Sequence, residues 1–149
     1  MYLFAQHPHE RERLRQHPGL VAKAVEEILR FESPVQMAAR TVAEDVELAG
    51  RVLERGQRVE VLLGAANRDP AVFRTPEQFD IGRSPNPHLA FGMGRHYCVG
   101  AALARLIGSI ALPRLIERVR VLELAPLNNP WGASVGFRGL SRLPCSSIE

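Results

Sequence analysis

A chain of 149 residues, 46% hydrophobic and 23% charged, is long enough for one domain with a real core and has the balance of a soluble globular protein. A net charge of +3 suits an acidic protein partner, whereas 6% aromatic content without an aromatic–basic stripe argues against nucleic-acid binding. The two cysteines, Cys98 and Cys145, make no CxxC pair and no disulfide framework, so a cytoplasmic setting is expected, and no apolar run is long enough for a membrane span or a signal peptide.

Residues 1–5 are apolar and read as the last turn of a helix whose beginning lies outside the chain. Pro8 suits the first turn of a charged segment reaching Gln16, and His17-Pro18-Gly19 breaks it. Leu20, Val21, Ala24, Val25, Ile28 and Leu29 then recur at helical spacing and predict an amphipathic helix over 18–31, ended by Ser33-Pro34. From 35 to 63 the period shortens. Val35 to Val42, Val46 to Leu48, Val52-Leu53 and Val59 to Leu63 predict two or three antiparallel strands in one small sheet, with a turn at Gly50. A short helix is expected at 65–69. The irregular stretch from Pro70 to Pro87 follows, with Phe73, Phe79 and Ile81 as anchors. The strongest helix is predicted over 99–120, with Leu103, Leu106, Ile107, Ile110 and Ala111 as its buried face and Pro113 as a kink or interruption. Strand-like runs fill the tail, and Val135 and Phe137 suit a hairpin arm.

The chemistry concentrates in Phe91-Gly92-Met93-Gly94-Arg95-His96-Tyr97-Cys98-Val99-Gly100. Three glycines permit positive φ and the close approach of a flat partner. Cys98 stands just before a helix, where unpaired N–H groups and the helix dipole favour a thiolate, the metal-binding form. The competing reading is a small buried hydrophobe. A zinc site from His88, His96 and Cys98 has no evident fourth ligand. Glu27 and Arg30 share a helix face, and with Arg83 they could tie the irregular stretch to the helix. Arg95 and Arg105 read as solvated charges or as contacts for an acidic protein partner, and Cys145 as inert.

Two of these patterns occur together in one family. Glu27-Ile28-Leu29-Arg30 matches the ExxR signature of the cytochrome P450 family. Phe91, Gly94, Cys98 and Gly100 match its haem-thiolate signature FxxGxxxCxG, in the family's order. The proline-rich meander from Asn67-Arg68-Asp69-Pro70 through Phe79-Asp80 to Arg83 resembles that of the soluble bacterial members, as does the closing run from Phe137 to Pro144. The resemblance covers essentially all 149 residues. It implies a mainly α fold with small antiparallel β-sheets, the C-terminal portion of the cytochrome P450 fold. Residues 1–149 would form a single partial domain, without the N-terminal part and the distal oxygen-activating helix.

The resemblance also implies roles. Cys98 would be the axial thiolate of a haem b iron, with Phe91 packed by the proximal face. Gly92, Gly94 and Gly100 would shape the loop around the sulfur. His96, His88 and Arg40 would pair with the propionates. Glu27, Arg30 and Arg83 would be a structural triad, and Val35, Gln36, Met37 and Val135 would line the substrate. The implied activity is a monooxygenase. It would take electrons from a ferredoxin-like or reductase donor, activate O2 and insert one oxygen atom into a small organic substrate. The alternative is a non-enzymatic truncated remnant or a haem-binding or interaction module. The helices at 18–31 and 99–120 would then leave apolar faces uncovered.

Overall fold

The computed structural model describes residues 1–126 and 131–148, so part of the tail read as strand-like lies outside the described residues. Three helices open the chain: α1 (Tyr2–Gln6), α2 (Pro8–Gln16) and α3 (Val21–Phe31). Pro8 occupies the first turn of α2, where its missing N–H costs nothing. The predicted helix over 18–31 begins as a single 3₁₀ turn at Pro18–Leu20 before α3 proper.

The β region differs from a single small sheet. Strands β1 (Ala38–Thr41), β2 (Val46–Leu48), β3 (Arg51–Leu53) and β4 (Arg58–Val61) form two separate antiparallel ladders. One pairs β1 with β4 (Ala38 opposite Val61, Thr41 opposite Arg58), and the other pairs β2 with β3. Ala49 and Gly50 both take positive φ (50° and 74°), the combination that a tight two-residue hairpin demands. A tight turn closes β2 on β3 alone and leaves β1 to find β4. The next helix, α4, spans Leu63–Ala66, slightly before the predicted 65–69. Near the end, β5 (Leu122–Leu124) pairs with β6 (Cys145–Ile148).

The core lies where α1, α2, α3 and the last helix, α5 (Ala101–Arg118), meet the meander. Leu3, Phe4, Leu14, Ala24, Val25, Leu112 and Ile116 are buried there with Phe79 and Ile81. Phe79 packs edge-on against Phe4 and Phe31, with ring centroids 5.7 and 5.5 Å apart. Phe73 is buried beneath the Arg30 guanidinium. The expected anchors of the meander thus hold it. Helix α2 adds polar ties: Arg13 Nη1 donates to Asp80 Oδ1 (2.8 Å), and the Ile81 N–H donates to Glu10 Oε2 (3.1 Å).

Helix α5 decides against an interruption at Pro113 and corrects the expected buried face. It runs through Pro113 without ending, because Leu112 and Ile116 on either side are buried in the core and tertiary packing outweighs the lost hydrogen bond. Its buried stripe is also the opposite one. Leu103, Leu106, Ile107 and Ile110 are 48–60% exposed, and Ala111 is only partly covered. The inward face carries Ala101, Arg105, Gly108, Leu112 and Ile116, at helical spacing on the other side of the cylinder. Gly108 decides this face. A Cβ there would stand 3.0 Å from Val25 Cγ2, so the missing side chain is what lets α3 approach so closely.

Candidate functional site

The meander is fixed to α3 by one buried carboxylate. Glu27 and Arg30 have fully buried side chains and pair as a two-pronged fork, Arg30 Nε to Oε2 and Nη2 to Oε1, both 2.8 Å. Arg83 Nε approaches both oxygens at 3.1 Å. The Asp80 N–H and Asn86 Nδ2 also donate to Glu27 (3.0 and 3.1 Å). The two guanidinium groups spend their remaining protons on meander carbonyls: Arg30 on Asn67, Pro76 and Gln78, and Arg83 on Arg74, Thr75 and Gln78. The irregular backbone from Pro70 to Pro87 needs such partners, because a segment without ladders must satisfy its polar groups elsewhere. Asn67, buried, extends the knot. Its Nδ2 donates to Ser33 Oγ (2.7 Å), and its Oδ1 accepts from the Leu89 N–H (2.6 Å) at the entrance to the cysteine loop.

That loop is built by two glycines. Gly92 and Gly94 both have φ of +71°, a conformation in which a side chain is strained. The Gly92 N–H donates to Leu89 O (2.8 Å), and Gly94–His96 forms a 3₁₀ turn closed by Tyr97 N–H to Gly94 O (3.0 Å). The Cys98 N–H donates to Phe91 O (2.9 Å), which folds the loop back on itself. Gly100 caps α5, and Cys98 is a free, exposed cysteine two residues before that cap. Phe91, Gly92, Gly94, His96, Cys98 and Gly100 are therefore brought together on one loop at the head of an 18-residue helix. His96 is exposed there, and Arg40 is exposed on β1, its Nη1 donating to Ala39 O (2.8 Å).

His88, read as a propionate partner, lies against α3: Nε2 is 3.0 Å from Glu26 Oε2, and Nδ1 accepts the Ala90 N–H (3.2 Å). An accepting Nδ1 leaves the proton on Nε2, so the ring donates to Glu26. Burial holds its pKa below the usual histidine value, ahead of the opposing pull of Glu26. Sequence reasoning missed Glu26 altogether and read Arg105 without its partner. Arg105 forms a second fork, Nε to Glu26 Oε1 (2.7 Å) and Nη2 to Oε2 (2.8 Å), and holds the Glu26 carboxyl below its usual range. The signal was present in the sequence: Arg105 lies two turns beyond Cys98, and Glu26 is adjacent to the ExxR glutamate.

The expected substrate segment and hairpin arm also meet. Val35 bridges Phe137, and the Gln36 N–H donates to Gly136 O (2.9 Å). A Cβ on Gly136 would lie 4.0 Å from Met37 Cγ, and Val135 next to it is 83% exposed. The Gln36 side chain turns inward, donating to Ser33 O.

A sequence model described as "Cytochrome P450" matches residues 3–137. The chain belongs to the cytochrome P450 family. The "Biotin biosynthesis cytochrome P450" of Bacillus subtilis (strain 168) is 50% identical over 139 residues, 93% of this chain and 35% of that protein. The "Polyketide biosynthesis cytochrome P450 PksS" of the same organism is 47% identical over 144 residues, 95% of this chain and 36% of that protein. Among solved structures, P450BioI in complex with an acyl carrier protein bearing hexadec-9Z-enoic acid superposes with a TM-score of 0.92. It is 47% identical, over 99% of this chain and 38% of the other. CYP109E1 from Bacillus megaterium, in complex with testosterone, gives 0.91 at 40% identity over 95% of this chain and 40% of the other. The helices with small antiparallel ladders are those of the C-terminal portion of a cytochrome P450. The chain spans about a third of the length of the curated relatives it matches.

The family implies a haem iron, and the donor set here fits one. Among the described residues no three His, Cys, Asp or Glu side chains are grouped to hold a bare metal ion. A metal bound by Cys98 must therefore bring its other ligands with it, as a porphyrin does. A Cβ on Gly94 would meet nothing within 4 Å, so the loop has open space at this left-handed glycine, which suits the close approach of a flat macrocycle.

Proposed function

We propose that this chain supplies the thiolate side of a haem-dependent monooxygenase, with Cys98 as the axial ligand of haem b. The observation that carries the reading is the exposed Cys98 thiol on a glycine-turned loop at the head of α5, backed by α3. Haem bound there would supply O2 activation and transfer of one oxygen atom to a small organic substrate. Phe91 shields the cysteine side of the loop. His96 and Arg40, both exposed, are the candidates to pair with the propionates. Glu27, Arg30 and Arg83 keep the meander from shifting against the loop. Val35, Met37 and Val135 border the substrate side; Gln36 contributes by its backbone, since its amide is used within the fold.

Arg95 is exposed on the cysteine loop, and the chain is basic overall, which suits a ferredoxin-like or reductase donor with an acidic face. The cytoplasm is the proposed setting, because Cys98 must stay a free thiol to bind iron. No described helix is long and apolar enough to cross a membrane.

The test is spectroscopic. The protein is loaded with haem, reduced and exposed to carbon monoxide. A strongly red-shifted Soret band is expected, and Cys98→Ser should abolish it; a variant that keeps the band refutes the ligand assignment. A chain that gives the band but oxidises no substrate with any reductant supports the haem-binding module instead.

A further inference from the structure

Consecutive positions on a helix point about 100° apart, so neighbouring glutamates on α3 serve different parts of the fold. Glu27 takes the meander. Glu26 faces α5 and the cysteine loop, in a cluster with His88, Arg105 and Tyr97 that the function above leaves unassigned. We propose that Arg105, fixed by Glu26, is a positioning residue for Cys98 and sets the loop geometry from which the sulfur is presented.

The geometry is specific. Nε and Nη2 of Arg105 are taken by Glu26 at 2.7 and 2.8 Å, which fixes the plane of the guanidinium. Nη1 then donates to Tyr97 Oη (2.8 Å), and the guanidinium carbon lies 4.6 Å from the centroid of the Phe91 ring. Tyr97 is bonded to Cys98 through the chain, and Phe91 is bonded to it through the 2.9 Å hydrogen bond from the Cys98 N–H. One guanidinium therefore holds both neighbours of Cys98. The Phe91 and Tyr97 rings meet edge-on at 6.3 Å.

His88 completes the arrangement at the entrance of the loop. It donates to the same Glu26 carboxylate and lies 6.1 Å from the Phe91 ring. Glu26 thus grips the loop before the glycine turn through His88 and after it through Arg105. Only arginine can do this. A lysine could reach Glu26 or Tyr97, but it has no planar fork to serve both and no flat face for Phe91.

The consequence for iron ligation rests on the function proposed above, whereas the loop geometry does not, and two measurements on the full chain separate them. The first is amide hydrogen exchange in the parent, in Arg105→Lys, in Glu26→Gln and in the mild variant Tyr97→Phe, which removes a single hydrogen bond. The Cys98 amide is expected to exchange about tenfold faster in Arg105→Lys and Glu26→Gln, and about threefold faster in Tyr97→Phe, with the β1–β4 amides unchanged. The second is the Soret band of the reduced, carbon monoxide-treated, haem-loaded protein. In Arg105→Lys the fraction lacking the red shift should at least double.

An Arg105 that merely stabilises the fold would speed exchange evenly through α3 and α5 while the folded protein kept the parent's band ratio. That result overturns the proposal, as does a parent chain whose Cys98 amide is unprotected. A protected Cys98 amide that loosens in the variants, in a protein that never shows the thiolate band, supports the loop assignment and refutes the haem reading instead.

Discussion

Glu27→Ala should cost more stability than any other single truncation on α3. The carboxylate is fully buried and accepts from Arg30, Arg83, the Asp80 N–H and Asn86. Removing it leaves two guanidinium groups facing each other without a counter-charge, one of them fully buried and the other 9% exposed. Breaking a buried pair by deleting one partner typically costs about 3–5 kcal/mol, and a domain of ordinary stability has only about 5–15 kcal/mol in total. Arg30 and Arg83 also hold five meander carbonyl groups between them, so their displacement should free the whole segment from Asn67 to Gln78. The assay is urea unfolding followed by circular dichroism, with Glu12→Ala as a control. The Glu12 carboxyl is held down to about 2 by Arg15, yet the pair is solvent-exposed, so that control should leave the midpoint unchanged. A Glu27→Ala protein within about 1 kcal/mol of the parent would refute the argument that this carboxylate is the meander's anchor.

Other outcomes follow from the same contacts. Gly108→Ala gains about 1 kcal/mol of helix propensity but pushes a Cβ to 3.0 and 3.1 Å from the two Val25 methyl groups, and overpacking costs about 1–3 kcal/mol. A net lowering of the melting temperature is expected, reversed in Gly108→Ala/Val25→Ala; a Gly108→Ala protein that melts higher than the parent would show that α3 can move aside. Stability should also fall on acidification. Burial lowers the folded-state pKa of His88 below 6.5, so between those two values the unfolded chain binds more protons, and the contribution present above pH 6.5 is lost as pH falls. Glu26 is lowered below 4.5 by Arg105, so its contribution is present above pH 4.5 and lost at lower pH. Urea midpoints measured from pH 8 to pH 4 should show the first limb vanish in His88→Gln; a limb that survives in this variant would place the titrating group elsewhere.

The parts of the molecule legible in the sequence are those where one residue type has one physical solution. Positive φ at two closely spaced positions needs glycine, so the loop before Cys98 could be placed from Gly92 and Gly94. A long stretch without a ladder needs anchors, and Phe73, Phe79 and Ile81 had nowhere else to go. Glu27 and Arg30 share a face because helix geometry allows nothing else, and Arg83 completes the pair because an irregular segment must be tied down. The β region was legible only as strands. Which strand finds which depends on the hairpin turn at Ala49-Gly50, and that turn isolates β2–β3 from β1–β4.

The buried face of α5 was not legible, for a reason that also explains the missed cluster. The helix is apolar on two sides, and periodicity favours the side with the larger residues. The contact with α3 is instead chosen by the smallest residue, Gly108, because close helix approach depends on what is missing. Once Gly108 faces Val25, the rotation of α5 is fixed, and Arg105, one turn earlier, must project along the same interface toward Glu26. An arginine that reads as a solvated charge in isolation becomes a partner of α3 by the same rotation that leaves Leu103 and Ile107 outside. Glycine at 108 and arginine at 105 are thus one decision about how α5 lies on α3, and the position of Cys98 at the head of that helix is its result.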